Sequence, residues 1–270
     1  MSAALRLVRD VQVEAPEPKV LPRPQCGWGG GCAEVLPEGE EPGFGGEPET
    51  WAWVDSELLC PTHASVAVRR RAKAAHERKL LRAGVPPRFL EVDVATLDVA
   101  GPGEQDLASR LAAWSPGDAL PVISGSPGTG KTTWATLFLR AAVEAGQDAL
   151  LLDESTLKEA LHREMGGAAR RSIVDDLVDA DVVVLDDLGG LRRPSDWYWD
   201  KVEYVIYQRW AREFSLLVTL PTSSTGSGLQ RIAEQAGERL ASLLFGLGGG
   251  REVRLAGGNR RFAAGEVRRG

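Results

Sequence analysis

Apolar residues follow two regimes along these 270 residues. Before position 86 they are sparse and set among Gly, Pro and Glu; beyond it they gather in short unbroken runs divided by stretches of helical spacing. Runs at 120–124, 149–153, 181–186, 215–220 and 252–255 have the length and apolar density of strands covered on both faces. The intervening spacing predicts helices over 104–114, 133–145, 156–164, 171–178, 200–214 and 228–245. Alternation of the two predicts an α/β fold in which helices flank a parallel sheet. No internal repeat is apparent.

The first third of the chain does not fit that pattern. Residues 1–25 carry Pro and Glu without apolar periodicity, and 34–49 form a Gly/Glu/Pro run expected to be a flexible loop. Residues 66–82 read as a helix with Arg69, Arg70, Arg71, Lys73, Arg78, Lys79 and Arg82 spread around it. These cations are either solvated or a grip on nucleic-acid phosphates. Three regions are expected: a small module over 1–65 with a flexible N-terminus, a basic helical linker over 66–92, and a larger domain over 93–270.

Charge sharpens this division. Residues 1–64 hold 4 Lys/Arg against 11 Asp/Glu, residues 65–93 hold 8 against 3, and the whole chain carries −6. A net negative protein does not coat nucleic acid over its entire surface, so any such contact is local. No run of about 18 apolar residues could span a membrane, and no apolar stretch near the start suits a secretory signal, so the expected location is cytoplasmic.

All three cysteines fall in the first region with one of the three histidines: Cys26, Cys32, Cys60 and His63. The two-residue gap of Cys60-Pro61-Thr62-His63 lets both side chains face one ion, and thiolates with an imidazole are the donors that tetrahedral Zn²⁺ prefers. Cys26 and Cys32 would supply the other pair, across a gap whose three consecutive glycines allow a tight fold. Four protein ligands leave no open position, so such a zinc is structural and supplies the folding energy that a small module with few apolar residues lacks. The other reading is ordinary reduced thiols.

Gly125-Ser126-Pro127-Gly128-Thr129-Gly130-Lys131-Thr132 matches the phosphate loop GxxxxGK[ST], between a predicted strand and a predicted helix. Its glycines let backbone N–H groups surround a polyphosphate, Lys131 reaches the β and γ phosphates, and Thr132 offers a hydroxyl to Mg²⁺. Thr133 opens the helix behind it. Downstream, Val182-Val183-Val184-Leu185-Asp186-Asp187 is a Walker B pattern, an apolar strand delivering carboxylates where ligands of an open α/β sheet bind. Asp186 would hold Mg²⁺ and Asp187 would polarise the attacking water.

Residues 86–262 resemble the AAA+ ATPases of the DnaC/DnaI helicase-loader and IstB transposition-helper group. The likeness rests on an ordered set: Gly84-Val85-Pro86-Pro87-Arg88-Phe89 ahead of the core, the loop from Gly125 to Thr133, and Leu185-Asp186-Asp187-Leu188-Gly189. A helix stretch from Ile206 to Trp210, then Gly237-Glu238-Arg239 and Gly257-Gly258-Asn259-Arg260, complete it. By position, the resemblance implies that Arg239 lies near the nucleotide and that Arg260 is a sensor-2 arginine on the γ phosphate. It implies ATP and Mg²⁺ as cofactors, ATP hydrolysis as activity, and single-stranded DNA and a replicative helicase as partners. It leaves assembly into a homo-oligomer open. A zinc-bearing N-terminal domain that contacts the helicase is what likeness to DnaI-type loaders implies.

Two departures bear on turnover. Thr219-Leu220-Pro221-Thr222 lacks the family's water-positioning asparagine, and Leu243 stands where an arginine is offered to a neighbouring subunit's ATP. An arginine finger is worth about 10³ to 10⁵ in rate, so slow hydrolysis is expected unless Arg231 or Arg251 substitutes. Two alternatives remain: an IstB-like transposition helper on duplex DNA, and a nucleotide-gated protein adaptor with little turnover. Arg192-Arg193-Pro194-Ser195-Asp196-Trp197-Tyr198-Trp199 suits either stacking of single-stranded nucleic acid or anchorage in a core. Trp134 and Trp210 are expected to pack on apolar helix faces.

Overall fold

The computed structural model describes residues 24–29, 32–38, 41–44, 50–97, 99–165, 172–191, 194–222 and 226–258. The chain divides into two compact units, 1–74 and 75–270.

In the first unit, β1 (Gly43–Phe44) pairs in parallel with β2 (Ala52–Val54), which pairs antiparallel with β3 (Glu57–Leu59). Asp55 and Ser56 make the turn between β2 and β3 with positive φ at both positions (49° and 71°), the backbone that two-residue hairpin loops use. The run 34–49, expected to be a loop throughout, contributes β1 and an isolated bridge from Val35 to Gln25. Trp51, Ala52, Val54, Leu58 and Leu59 form a small core around Cys26 and Cys60. The helix α1 (Pro61–Arg82) then starts five residues earlier than its basic character alone suggested, and the boundary between the units falls within it.

The second unit contains α2 (Pro102–Ala113), β4 (Val122–Gly125), α3 (Lys131–Glu144), β5 (Ala149–Asp153), α4 (Glu154–Met165) and α5 (Ile173–Asp179). It continues with β6 (Val182–Asp186), α6 (Asp196–Ala211), β7 (Ser215–Pro221), α7 (Gly228–Ala236), α8 (Glu238–Leu247) and β8 (Glu252–Leu255). The five strands form one parallel sheet in the order β5-β6-β7-β4-β8. Successive strand residues point to opposite faces, and the core divides accordingly. Ile123, Leu151, Val182, Val184 and Leu217 pack with Trp134, Phe138 and Leu139 of α3. Val122, Val183, Leu185, Leu216 and Val218 pack with Leu157, Tyr198, Val202, Ile206 and Leu240 of α4, α6 and α8.

Four expectations change here. The single helix over 228–245 is two helices, because Gly237 takes φ 97°, which ends α7 and turns the chain into α8. The helix expected from 200 begins at Asp196, because the Ser195 hydroxyl caps it by accepting from the Tyr198 N–H. Tyr198 and Trp199 are buried and cannot stack on a strand, Trp197 is half-buried with its ring on His162, and Arg192 and Arg193 lie outside the described residues. Trp134 is buried as expected, but Trp210 is 48% exposed, since the inward position on that turn belongs to Arg209.

Arg209 is fully buried. Its Nη1 donates to the carbonyls of Leu177 (2.7 Å) and Ala180 (2.8 Å), and its Nη2 to those of Asp181 (3.0 Å) and Ser215. Burial lowers its pKa to about 10 against the pull of the Asp181 carboxylate, so it remains a cation at neutral pH. It thereby ties the end of α5 to the entrances of β6 and β7. Arg140 of α3 plays a similar part, donating to the carbonyls of Phe89, Leu90 and Val92 and holding that segment on the phosphate-loop helix. Leu80, Ala83 and Val85 join the α3 side of the core, and the Ala83 carbonyl accepts the Leu151 N–H (2.6 Å) beside β5, a terminal strand of the sheet. Among the described residues no helix is long and apolar enough to cross a membrane.

Candidate nucleotide site

The chain between β4 and α3 is the predicted phosphate loop, at the C-terminal edge of the sheet. Gly128 and Gly130 adopt left-handed backbone (φ 83° and 98°), and α3 starts at Lys131 immediately after. An L side chain at Gly130 would strain the residue that orients the first amides of the helix. Lys131 is buried, and its Nζ donates to the carbonyls of Gly125 (2.9 Å) and Ser126 (3.1 Å), which keeps the ammonium over the loop. Thr129 closes the loop by donating to the Ser126 carbonyl (2.9 Å).

Asp186 ends β6 and brings the second half of the site to this loop. Its Oδ2 accepts from the Thr132 hydroxyl at 2.8 Å, and its Oδ1 accepts from the Thr219 hydroxyl at 2.5 Å. Thr132 and Asp186 are thus adjacent hard oxygen donors, the type of set that Mg²⁺ takes from protein while keeping several waters. Asp187 follows with φ 59°, and its N–H donates to Thr219 Oγ1 at 2.8 Å. A left-handed conformation costs a non-glycine residue about 1 kcal/mol or more, so it persists where its surroundings fix it.

Two residues absent from the sequence-based set therefore build this site. Thr219 was read only for the asparagine missing after it, yet a lone hydroxyl inside the apolar strand Ser215–Pro221 implied a buried partner. Glu154 is 4% exposed at the head of α4, directly after the strand whose Asp153 is in register with Asp186. It accepts from the Leu191 N–H (2.7 Å) and the Tyr198 hydroxyl (3.3 Å). Burial is the largest influence on Glu154 and, with the Asp187 carboxylate, raises its pKa above the ordinary 4.5 despite those donors.

The remaining predicted residues fall elsewhere. Arg239 is 72% exposed and engages α6, pairing with Glu203 at 3.0 Å with its guanidinium 5.9 Å from the Tyr207 ring centre. Arg260 lies outside the described residues. Leu220 is fully buried, and half-buried Leu243 packs on the α8 side of the core. Of the two stand-in arginines, Arg231 donates to the Gly189 carbonyl (2.8 Å) and Arg251 pairs with Asp106 (3.6 Å), so both are engaged within the chain.

In the first unit, Cys26, Cys32, Cys60 and His63 converge, with all four donor atoms within 4.8 Å of one another. His63 Nδ1 lies 3.1 Å from Cys60 Sγ and 3.5 Å from Cys26 Sγ, and Cys32 Sγ lies 4.0 Å from Cys60 Sγ. Tetrahedral zinc, with bonds of about 2.0 to 2.3 Å, sets its ligand atoms about 3.5 to 4 Å apart, so this donor set fits the ion. The Cys60 N–H donates to Cys26 Sγ (3.3 Å), and the Trp28 ring stacks on His63 with centres 4.7 Å apart. Burial pushes the Cys60 thiol up to about 12 when no metal holds it.

A phosphate loop, a strand-end carboxylate in reach of its threonine, and a five-stranded parallel sheet flanked by helices define a nucleotide-binding ATPase fold of the AAA+ type. Solved structures that share the fold include a helicase loader and a replication initiator. The DnaC helicase loader is 22% identical over 63% of this chain and 100% of its own, with TM-score 0.55. DnaI is 17% identical over 65% of this chain and 94% of its own, with TM-score 0.51. The replication initiator DnaA bound to AMPPCP and single-stranded DNA is 15% identical over 68% of this chain and 56% of its own, with TM-score 0.52. At these identities the likeness establishes the fold. No protein-family model and no curated protein matches the sequence.

Proposed function

We propose that this protein is a helicase-loader-like ATPase of DNA replication that binds ATP with Mg²⁺, hydrolyses it slowly, and contacts single-stranded DNA and a replicative helicase. The observation that carries the reading is the junction of Thr132, Asp186 and Thr219 beneath the phosphate loop. In this reading Lys131 binds the β and γ phosphates, and the amides of residues 125–133 cradle them. Thr132 and Asp186 hold Mg²⁺, which would screen phosphate charge there. Asp187 polarises the attacking water, and Arg260 and Arg239 take the roles that likeness to the loaders implies. The first unit is stapled by a structural zinc on Cys26, Cys32, Cys60 and His63 and offers the helicase contact. The protein works in the cytoplasm, alone or as a homo-oligomer.

The test is ATP turnover by the full-length protein with no DNA, single-stranded DNA or duplex, together with capture of a replicative helicase by the same protein. A loader shows slow turnover that changes with single-stranded DNA, and it captures the helicase in an ATP-dependent way. Lys131→Ala and Asp187→Asn should abolish turnover, the first by losing ATP and the second while keeping it. Strict dependence on duplex would support the IstB-like helper instead. The buried Leu220 and packed Leu243 favour a second reading, an adaptor whose surface is ordered by ATP with little turnover, and helicase capture without hydrolysis would support it.

A further inference from the structure

The segment leaving β6, from Asp187 to Leu191, is held by three elements that are remote from it in sequence. The Leu188 N–H donates to the Thr219 carbonyl of β7 (2.9 Å), and the Gly190 N–H turns back to the Asp187 carbonyl (3.0 Å). Glu154, at the head of α4, accepts from the Leu191 N–H (2.7 Å). Arg231, on α7, donates its Nε–H to the Gly189 carbonyl at 2.8 Å. The segment is therefore engaged from opposite sides, at the Leu191 amide by a carboxylate and at the Gly189 carbonyl by a cation. Hydrogen bonds with one ionised partner are the stronger class, and the Glu154 carboxylate is almost wholly shielded from water.

We infer that Glu154 and Arg231 form a clamp on the stretch from Gly189 to Leu191 that fixes the left-handed backbone of Asp187, making both of them positioning residues for hydrolysis. The inference rests on the reading of Asp187 as the water-polarising carboxylate. Neither residue touches the phosphate loop or Asp186, so the clamp acts on turnover and leaves nucleotide affinity alone. It also gives Arg231 a task in its own chain. Tyr198 steadies the arrangement by donating to the second oxygen of Glu154 (3.3 Å).

The test compares Glu154→Gln, Arg231→Met and the conservative Arg231→Lys in the full-length protein by three readouts: affinity for a fluorescent ATP analogue, kcat for ATP, and amide hydrogen exchange. Glu154→Gln and Arg231→Met should keep affinity within about threefold of the parent, lower kcat at least tenfold, and speed exchange at 188–191 but not at 183–185 of β6. Arg231→Lys should recover part of kcat. Parental kcat in both variants, or exchange at 188–191 unchanged, overturns the clamp. A parent that binds the analogue without turnover leaves exchange at 188–191 to decide. A parent that does not bind it sinks the ATPase reading, and the clamp's role with it.

Discussion

The hydroxyl of Thr219 lies 2.5 Å from Asp186 Oδ1 and also accepts the Asp187 N–H at 2.8 Å. One buried side chain on β7 thus holds the carboxylate that ends β6 and the backbone of the aspartate that follows it, and does so from the neighbouring strand. This arrangement couples the Asp186 carboxylate to the backbone of Asp187.

Thr219→Val keeps the shape and removes the hydroxyl, which leaves a buried carboxylate oxygen and a backbone N–H short of partners. The expected cost is about 1–3 kcal/mol of unfolding free energy. Urea melts should show it, and ATP turnover should fall further than occupancy alone explains. Thr219→Ser should restore most of both.

Arg209→Met should be among the most damaging single substitutions in the second unit, because four carbonyls lose their donor in a region closed to water. About 3 kcal/mol or more is expected. Arg209→Lys should rescue little, since one ammonium does not reproduce the span of a planar guanidinium. Thermal melts followed by circular dichroism would decide.

The Cys₃His cluster predicts one equivalent of zinc per chain by elemental analysis. Chelation, or Cys60→Ser, should unfold the first unit and change the emission of Trp28 and Trp51, which sit beside the ligands. Because burial holds Cys60 as a neutral thiol without metal, zinc uptake displaces its proton. Affinity should therefore climb about tenfold per pH unit for each proton released between pH 6 and 8. Flat affinity over that range would be incompatible with a thiolate site.

Glu154 gives a pH signature of its own. Its folded pKa stands above the ordinary 4.5, so the stability it contributes is complete below that value and is lost as pH rises through the folded pKa. Glu154→Gln does not titrate. The stability of the parent relative to Glu154→Gln should consequently be higher at pH 5 than at pH 7.5, as read from paired urea melts. A difference that does not vary with pH would mean that Glu154 titrates as an exposed carboxylate does.

Strand positions were legible in the sequence because both faces of this sheet are covered: 149–153 and 252–255 coincide with β5 and β8. Helix boundaries were less so. Periodicity continues straight through Gly237, where backbone conformation breaks the element, and it does not register Ser195, where a hydroxyl starts α6 four residues early. Trp210 shows the same limit from another side, since the inward position of that turn went to a cation whose partners are backbone carbonyls contributed by distant segments. For the candidate site, spacing pointed to the loop before α3 and to Asp186, which the structure brings together through Thr132. Thr219 and Glu154 depend on which strands become neighbours, and a linear pattern carries no direct record of that.

The bond from Leu151 to the Ala83 carbonyl has a practical consequence for anyone preparing the phosphate-loop unit by itself. A terminal strand with free N–H groups is a template for other chains, and here residues just past α1 occupy part of it while Leu80 and Val85 fill the space beneath. A recombinant version begun at Asp93 would retain every phosphate-loop and Walker residue and still be prone to precipitate. Its starting point belongs upstream of Leu80.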